Sequence, residues 1–278
     1  MMNNTKYEVD ERDIEYQHLA GKPWLVRLYQ PGGAGPFPTI IDVHGGAWHN
    51  GDRLNNSGID RELASRGILV AAVEFRQPPE AGYPASICDV NLATRWLKAH
   101  AAEFNGTARI GAFGNSSGGH QVVLSALRPR HAAYSALPLE KHSDIDASLA
   151  YVIAGWPVIC PLYRFRFAKE LNRQEFIKAH IDYWRTEEAM AEGSPQTIID
   201  QEKEIELPPI LFMLKANDKN HPLEMQERFI ASYRKRGGQI EVHTFEGLPE
   251  HRVVPSPAQP ETMRAMDTIT GFIERQTS

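Results

Sequence analysis

Short apolar runs alternate with longer amphipathic stretches along most of this chain of 278 residues. Several runs are almost entirely apolar, as is typical of parallel strands that are covered on both faces. The predicted strands span residues 24–29, 39–43, 69–75, 109–113, 149–154, 210–215 and 240–245. The predicted helices span residues 59–66, 84–100, 117–127, 222–236 and 261–275. This alternation predicts an α/β fold with a mostly parallel sheet and helices on both faces.

One segment interrupts the alternation. Residues 155–208 separate two predicted strands and are too long for a simple crossover. The segment is rich in large aromatic side chains and much of it has a helical pattern. We therefore predict a single domain over residues 1–278, with residues 155–208 as a cap inserted above the sheet edge. An ordinary long crossover that packs its aromatic side chains into the core is the alternative.

Composition narrows the class of protein. The net charge is −5 and 42% of the residues are hydrophobic, values of an ordinary globular protein rather than a nucleic-acid binder. No apolar run approaches the roughly 20 residues of a membrane span, and the polar N-terminus does not resemble a signal peptide. The two cysteines, Cys88 and Cys160, are too few for a disulfide framework. These features predict a cytoplasmic protein that binds neither nucleic acid nor membrane.

The stretch GAFGNSSGGH at residues 111–120 lies between a predicted strand and a predicted helix. Its G-x-S-x-G pattern places Ser116 between Gly114 and Gly118, the arrangement of a nucleophile elbow. Such a turn is so sharp that side chains at the flanking positions would clash, which explains the two glycines. Ser116 is therefore the predicted nucleophile. Ser117 is the rival, and a plain Gly/Ser turn that begins a helix is the non-catalytic alternative.

A second glycine-rich turn, HGGAW, follows the strand at residues 39–43. Acyl-transfer enzymes hold a tetrahedral oxyanion with backbone N–H groups that already point at it. We predict an oxyanion hole formed by the N–H groups of Gly46, Ala47 and Ser117. His44 is expected to brace this loop.

The acid and the base should follow the nucleophile in the order Ser, Asp or Glu, His. Asp218 lies in the loop after the strand at residues 210–215, and His251 follows the last predicted strand. We therefore predict the triad Ser116, Asp218 and His251. His221 is expected to cap the next helix, and His120 to pack beneath its own helix. The histidines form no metal-ligand pattern, and we predict neither a metal nor another cofactor.

The order of HGGAW, FRQPPEAGYPASICDV, GNSSGGH, AND and EH resembles the α/β-hydrolase superfamily. It is most similar to compact bacterial carboxylesterases near the hormone-sensitive-lipase-like and kynurenine-formamidase-like branches, and it covers about residues 24–275. The resemblance implies the α/β-hydrolase fold, with a mostly parallel eight-stranded sheet and a helical cap insertion. It also implies that Arg76, Pro84 and Asp89 brace the active-site loops.

The chain departs from that pattern at several positions. Ala47 stands where the lipase-like branch has the third glycine of HGGG, and Asn115 and Ser117 flank the nucleophile where aspartate and alanine are common. Only 43 residues precede His44, too few for the N-terminal helical cap of that branch. These differences leave the triad intact but leave the branch and the substrate open.

The predicted function is hydrolysis of a small to medium carboxylic ester through an acyl-enzyme on Ser116. The same triad could serve an aryl formamide, a carbamate or a lactone. A non-catalytic hydrolase-like binding protein and a hydroxynitrile lyase are the alternatives from other classes. The predicted partner is a small-molecule ester, and a homodimer is left open.

The predicted pocket is mostly apolar. Its expected lining residues lie at strand ends or in the cap: Trp48, Trp156, Leu162 and Tyr163. Arg164 and Arg166 in the cap could pair with a carboxylate on the substrate, since the guanidinium fork suits that group. The alternative is that both arginines belong to a solvated helix face.

Overall fold

A computed structural model describes residues 6–249 and 253–278. Its strands form a single sheet in the order β1-β2-β4-β3-β5-β6-β7-β8. The strands are β1 (Val9–Leu19), β2 (Lys22–Pro31), β3 (Phe37–Val43), β4 (Leu69–Val73), β5 (Gly106–Asn115), β6 (Val152–Gly155), β7 (Ile210–Lys215) and β8 (Ile240–Phe245).

The sheet is parallel from β4 to β8 and antiparallel at β1 and β2. The predicted eight-stranded, mostly parallel sheet is thus confirmed. The pattern analysis did not identify β1, whose sequence VDERDIEYQHL is largely polar. This strand forms the edge of the sheet and leaves alternate side chains in solvent, so it lacks the apolar run that marks the central strands.

All five predicted helices are present with ends within two residues of the prediction. The helices of the described residues are α1 (Ser57–Ser65), α2 (Ala85–His100), α3 (Ser117–Leu127), α4 (Pro161–Glu170), α5 (Gln174–Trp184), α6 (Glu187–Glu192), α7 (Pro195–Gln201), α8 (Leu223–Lys235) and α9 (Pro260–Thr277).

The helices cover both faces of the sheet. On one face, apolar side chains of α1 and α9, such as Leu63 and Phe272, pack with Ile40 and Val70 of the sheet. On the other face, α2, α3 and α8 pack over the same central strands. Burial on both faces explains why the central strands are almost entirely apolar.

Helices α4 to α7 lie within residues 155–208, the predicted cap segment. Several of its aromatic side chains form a small core of their own, which includes Phe165, Tyr183 and Trp184. Trp48, from the loop after β3, completes this core and so ties the segment to the body of the protein. No helix in the described residues combines the length and apolar character needed to cross a membrane.

Candidate active site

Ser116 stands at the sharp turn between β5 and α3. Its backbone has φ 52° and ψ −118°, a conformation that residues with side chains rarely adopt. A Cβ atom on Gly118 would lie 1.9 Å from the Val43 carbonyl oxygen, and one on Gly114 would lie 2.6 Å from the Gly118 backbone. Both positions therefore accept only glycine, as the elbow pattern predicts. The turn holds the Ser116 side chain at the edge of a cavity.

The loop after β3 lies against this turn. Gly45 N donates to Asn115 Oδ1 at 3.1 Å, and Trp48 N donates to Ser117 Oγ at 3.2 Å. Gly46 and Ala47 have φ values of 118° and 54°, so the loop coils tightly beside Ser116. The backbone of this loop is thus fixed by hydrogen bonds to both residues that flank Ser116.

Three backbone donors near Ser116 stay unused. The N–H groups of Gly46, Ala47 and Ser117 make no hydrogen bond within residues 6–249 and 253–278. Gly46 and Ala47 also line the cavity that contains Ser116. The geometry is compatible with the predicted oxyanion hole. The Ser117 side chain is fully buried and accepts the Trp48 hydrogen bond, which makes it a poor rival nucleophile.

His44 braces the loop from below. Its Nδ1–H group donates to the Gly45 carbonyl oxygen at 2.7 Å, and its ring stacks on Phe75 with 4.4 Å between centroids. Burial lowers the pKa of His44 to about 4, so the ring is neutral. Nearby, Arg76 forms a salt bridge of 2.8 Å with the buried carboxylate of Asp89, as the resemblance implies.

A chain of hydrogen bonds runs from Ser116 to Asp218 through His221. Ser116 Oγ lies 3.0 Å from His221 Nε2, and His221 Nδ1 lies 2.8 Å from Asp218 Oδ2. The other carboxylate oxygen of Asp218 accepts from the backbone N–H groups of Asn220 and His221, at 2.8 and 3.0 Å. The carboxylate therefore fixes both the turn and the imidazole, with Nε2 directed at the serine hydroxyl.

This arrangement changes the prediction for the base. His251 lies outside the described residues, and His221 occupies the position beside Ser116 that we had assigned to it. The expectation that His221 caps the next helix is wrong, because α8 begins at Leu223 without a side-chain cap. The sequence did contain one indication of the role of His221, since it lies only three positions after Asp218. The order Ser, Asp, His holds for both histidines, so order alone could not choose between them.

Burial and hydrogen bonding set the charges of the pair. Burial lowers the pKa of His221 and outweighs the opposing effect of Asp218, so the neutral imidazole is favoured at neutral pH. Burial would raise the pKa of Asp218, but the hydrogen bonds from His221 and Asn220 leave it below the ordinary value. A neutral histidine beside an ionised aspartate is the resting state that a general base requires.

The cavity at Ser116 has a volume of about 420 Å³. The loop after β3, Ser116, His221 and helices α4 and α5 contribute to its wall. The lining residues are Gly45, Gly46, Ala47, Asn50, Asn55, Asn56, Asn115, Ser116, Trp156, Arg164, Glu175, Phe176, Ala179, Asn220 and His221. Only Trp156 belongs to the four side chains that we predicted for this role.

The other three predicted lining residues lie elsewhere. Trp48 is 1% exposed, stacks on Tyr183 and donates from Nε1 to His120 Nδ1 at 3.1 Å. Leu162 packs against the same aromatic core, and the Tyr163 hydroxyl donates to Glu224 at the surface. Trp48 and Tyr163 adjoin the lining residues Ala47 and Arg164 in the sequence, but tertiary packing directs their side chains to other contacts. The expectation that His120 packs beneath its helix is confirmed by its complete burial.

Sequence reasoning missed the lining residues of α5 and the asparagines of the loops. Phe176 and Ala179 share a face of α5, since positions three apart in a helix are neighbours. This spacing was readable, but nothing in the sequence showed which face of α5 meets the cavity. Within the described residues, no group of three or more His, Cys, Asp or Glu side chains could hold a metal ion.

This chain is similar to a known protein family and to named esterases. The BD-FAE family matches residues 27–229. Esterase LipC of Mycobacterium tuberculosis is 29% identical over 233 residues, which cover 80% of this chain and 56% of LipC. The chain spans about half the length of the relatives it matches.

Solved esterase structures share the fold. The thermophilic esterase of Thermogutta terrifontis has a TM-score of 0.74 at 21% identity, with 98% of this chain and 95% of that chain covered. The hyperthermophilic esterase of Pyrobaculum calidifontis has a TM-score of 0.75 at 19% identity, with 99% and 87% covered. These likenesses show the α/β-hydrolase fold.

Proposed function

This chain belongs to the BD-FAE family, and we propose that it is a serine hydrolase that cleaves carboxylic esters. One observation carries the proposal: an unbroken hydrogen-bond chain joins Ser116, His221 and Asp218 at the edge of a cavity. A non-catalytic binding protein would not need a serine hydroxyl held 3.0 Å from an aspartate-bound imidazole.

In the first half of the reaction, Ser116 Oγ attacks the ester carbonyl while His221 Nε2 accepts its proton. Asp218 holds the ring in the tautomer that leaves Nε2 free to accept, and it stabilises the imidazolium that forms. The protonated His221 then donates to the leaving alkoxide. The acyl group stays on Ser116 as an ester.

The developing negative charge falls on the former carbonyl oxygen. The N–H groups of Gly46, Ala47 and Ser117 are fixed by the loop and by the start of α3, and are unpaired in the described part of the chain. Donors fixed before the reaction need no rearrangement in the transition state. We assign the oxyanion hole to these three groups.

In the second half, water attacks the acyl-enzyme with His221 again as the base. The carboxylic acid then leaves and Ser116 is restored. The cavity of about 420 Å³ fits a small to medium ester. Aryl formamides, carbamates and lactones would pass through the same steps, and the assays below distinguish them.

The first experiment follows hydrolysis of p-nitrophenyl acetate, butyrate and octanoate by the wild type and by Ser116→Ala. We expect turnover in the wild type, a preference for the shorter acyl chains, and loss of turnover in the variant. Labelling by a fluorophosphonate should likewise require Ser116. Inactivity toward esters, with turnover of an aryl formamide, carbamate or lactone, would replace the ester proposal.

We also propose that the enzyme is cytoplasmic, because Cys88 and Cys160 are both free thiols, as is usual in a reducing compartment. The proposed partner is the small-molecule ester itself. The homodimer stays a prediction, which sedimentation velocity of the purified protein would test.

A further inference from the structure

One cavity residue has no role in the proposed reaction. Arg164 lies on α4, is 4% exposed and lines the cavity together with Ser116 and His221. Its Nε and Nη1 atoms are buried without a hydrogen-bond partner, and it forms no ion pair within the described residues. An arginine that is almost fully buried and unpaired is costly, since its charge has lost water without gaining a partner.

Aromatic side chains hold this guanidinium in place. Its Cζ atom lies 4.4 Å from the centroid of the Phe176 ring and 5.9 Å from that of Trp48. Such stacking fixes the plane of the group but leaves its N–H donors free, because the ring faces accept no conventional hydrogen bond. Arg164 is therefore positioned before any ligand arrives.

The nearby charges do not neutralise Arg164. The carboxylate of Asp218 is already bound to His221, and Arg173 is a second cation, bound to the Lys219 carbonyl oxygen and to Asn220. Glu175 also lines the cavity, but it is exposed and makes no ion pair with Arg164. Burial lowers the pKa of Arg164 only to about 10, so the group stays charged at neutral pH.

We infer that the ester cleaved by this protein carries a carboxylate, and that Arg164 binds this carboxylate inside the cavity while Ser116 attacks the ester. The inference rests on the proposed function and names its substrate class. A planar guanidinium with unpaired donors matches a carboxylate, which it can bind through two parallel hydrogen bonds. The carboxylate would supply the partner that the described part of the chain does not.

Arg166 provides a matched control. It lies two positions further along α4, where its side chain is 61% exposed and binds Glu187 at 2.7 Å. The sequence left two roles open for these arginines, namely a contact with a substrate carboxylate and a place on a solvated helix face. Each role fits a different residue. Arg166 belongs to a solvated helix face, and Arg164 faces the substrate cavity.

The test compares each ester that carries a carboxylate with the neutral compound in which that carboxylate is an alkyl ester, and it counts only cleavage of the ester that both members share. On the leaving-group side, 4-acetoxybenzoate is paired with methyl 4-acetoxybenzoate. On the acyl side, monoethyl adipate is paired with diethyl adipate. We expect the wild type to favour the charged member of at least one pair in kcat/KM by about tenfold or more, the factor typical of a charged hydrogen bond. The favoured pair then shows on which side of the ester the carboxylate lies.

Variants assign the preference to Arg164. Arg164→Met should lower kcat/KM for the favoured charged ester about 10- to 100-fold more than for its neutral partner. Arg164→Lys should keep part of the preference, because it retains the charge without the fork. Arg166→Met, the same change on the solvated face of α4, should leave both rates unchanged.

Equal or faster turnover of the neutral member in both pairs by the wild type would overturn the inference and leave the proposed esterase activity intact. A charged-ester preference that survives in Arg164→Met would overturn it as well. If Arg164→Met folds poorly, competitive inhibition of wild-type neutral-ester hydrolysis by adipate and by benzoate is measured instead. Weak inhibition by both, at concentrations where their neutral esters bind, would also contradict it. Absence of turnover for all four esters would instead contradict the proposed function.

Discussion

His221 Nε2 lies 3.0 Å from Ser116 Oγ, although 105 positions separate the two residues. The contact depends on a short turn, in which Asp218 accepts hydrogen bonds from the His221 backbone and from its ring. Acid and base thus come from the same loop after β7. The loop after β8, where the sequence analysis placed the base, is not needed to complete the hydrogen-bond chain.

Substitution of each histidine tests this assignment. His221→Gln should lower kcat by about 10³-fold or more, because His221 is the one side chain within residues 6–249 and 253–278 that contacts the Ser116 hydroxyl and can accept its proton. His251→Gln should retain most of the activity. Both are measured with p-nitrophenyl butyrate at saturating concentration. The reverse result, with activity lost in His251→Gln and kept in His221→Gln, would return the base to His251.

The pH profile reports the charge of the base. His221 must be neutral to accept a proton, so kcat/KM should fall as the pH drops through its pKa. Burial lowers that pKa, and the midpoint of the acid limb should therefore lie below 6.5. The positive charge of Arg164 also lowers it, so Arg164→Met should move the midpoint upward on a neutral ester. An acid limb above 6.5 in the wild type would contradict the burial of the base.

The elbow glycine Gly118 should tolerate no side chain. In Gly118→Ala, the new Cβ would meet the Val43 carbonyl oxygen at 1.9 Å and the His44 carbonyl oxygen at 2.6 Å. Backbone must move, and we expect the free energy of unfolding in urea to fall by about 1–3 kcal/mol. Gly271→Ala in α9 is the control. Its nearest new contact is the end of the Arg275 side chain at 3.5 Å, and alanine should stabilise the helix by about 0.5–1 kcal/mol.

Asp60 should make stability depend on pH. Both of its carboxylate oxygens are buried without a partner in the described residues. Burial, and then the nearby charge of Asp42, raise its pKa well above 3.8. The folded state therefore favours the protonated form, and this stabilisation is complete below pH 3.8 and is lost as the pH rises toward the raised pKa.

Asp60→Asn removes the ionisable carboxyl group at this position. The Tm of the variant minus that of the wild type should therefore increase between pH 5 and pH 8, as measured by thermal melts across that range. Glu80→Gln, which breaks an exposed ion pair with Lys22, should change Tm little at any pH. A constant Tm difference between Asp60→Asn and the wild type would show that Asp60 does not titrate in this way.

Much of the architecture follows from local sequence. Central strands buried on both faces must be apolar, so their positions were readable. The edge strand β1 could not be predicted in this way, because one side of it faces solvent and its sequence is mostly polar. The elbow was readable at single-residue level, since the crowding at Gly114 and Gly118 arises within the strand-turn-helix unit and the adjacent β3 loop.

Local sequence was enough to identify Ser116, Asp218 and the glycine-rich loop at Gly46 as candidates, because each lies just after a predicted strand. Tertiary packing was needed to show that His221 reaches Ser116 and that Trp48 packs among the aromatic side chains of residues 155–208. It also places Arg164 at the cavity and Arg166 in solvent. Those outcomes depend on how the loop after β7 and helices α4 and α5 pack over the sheet edge. The direction of a side chain in such packing is set by contacts between residues far apart in the chain. Those contacts cannot be predicted from a local sequence pattern.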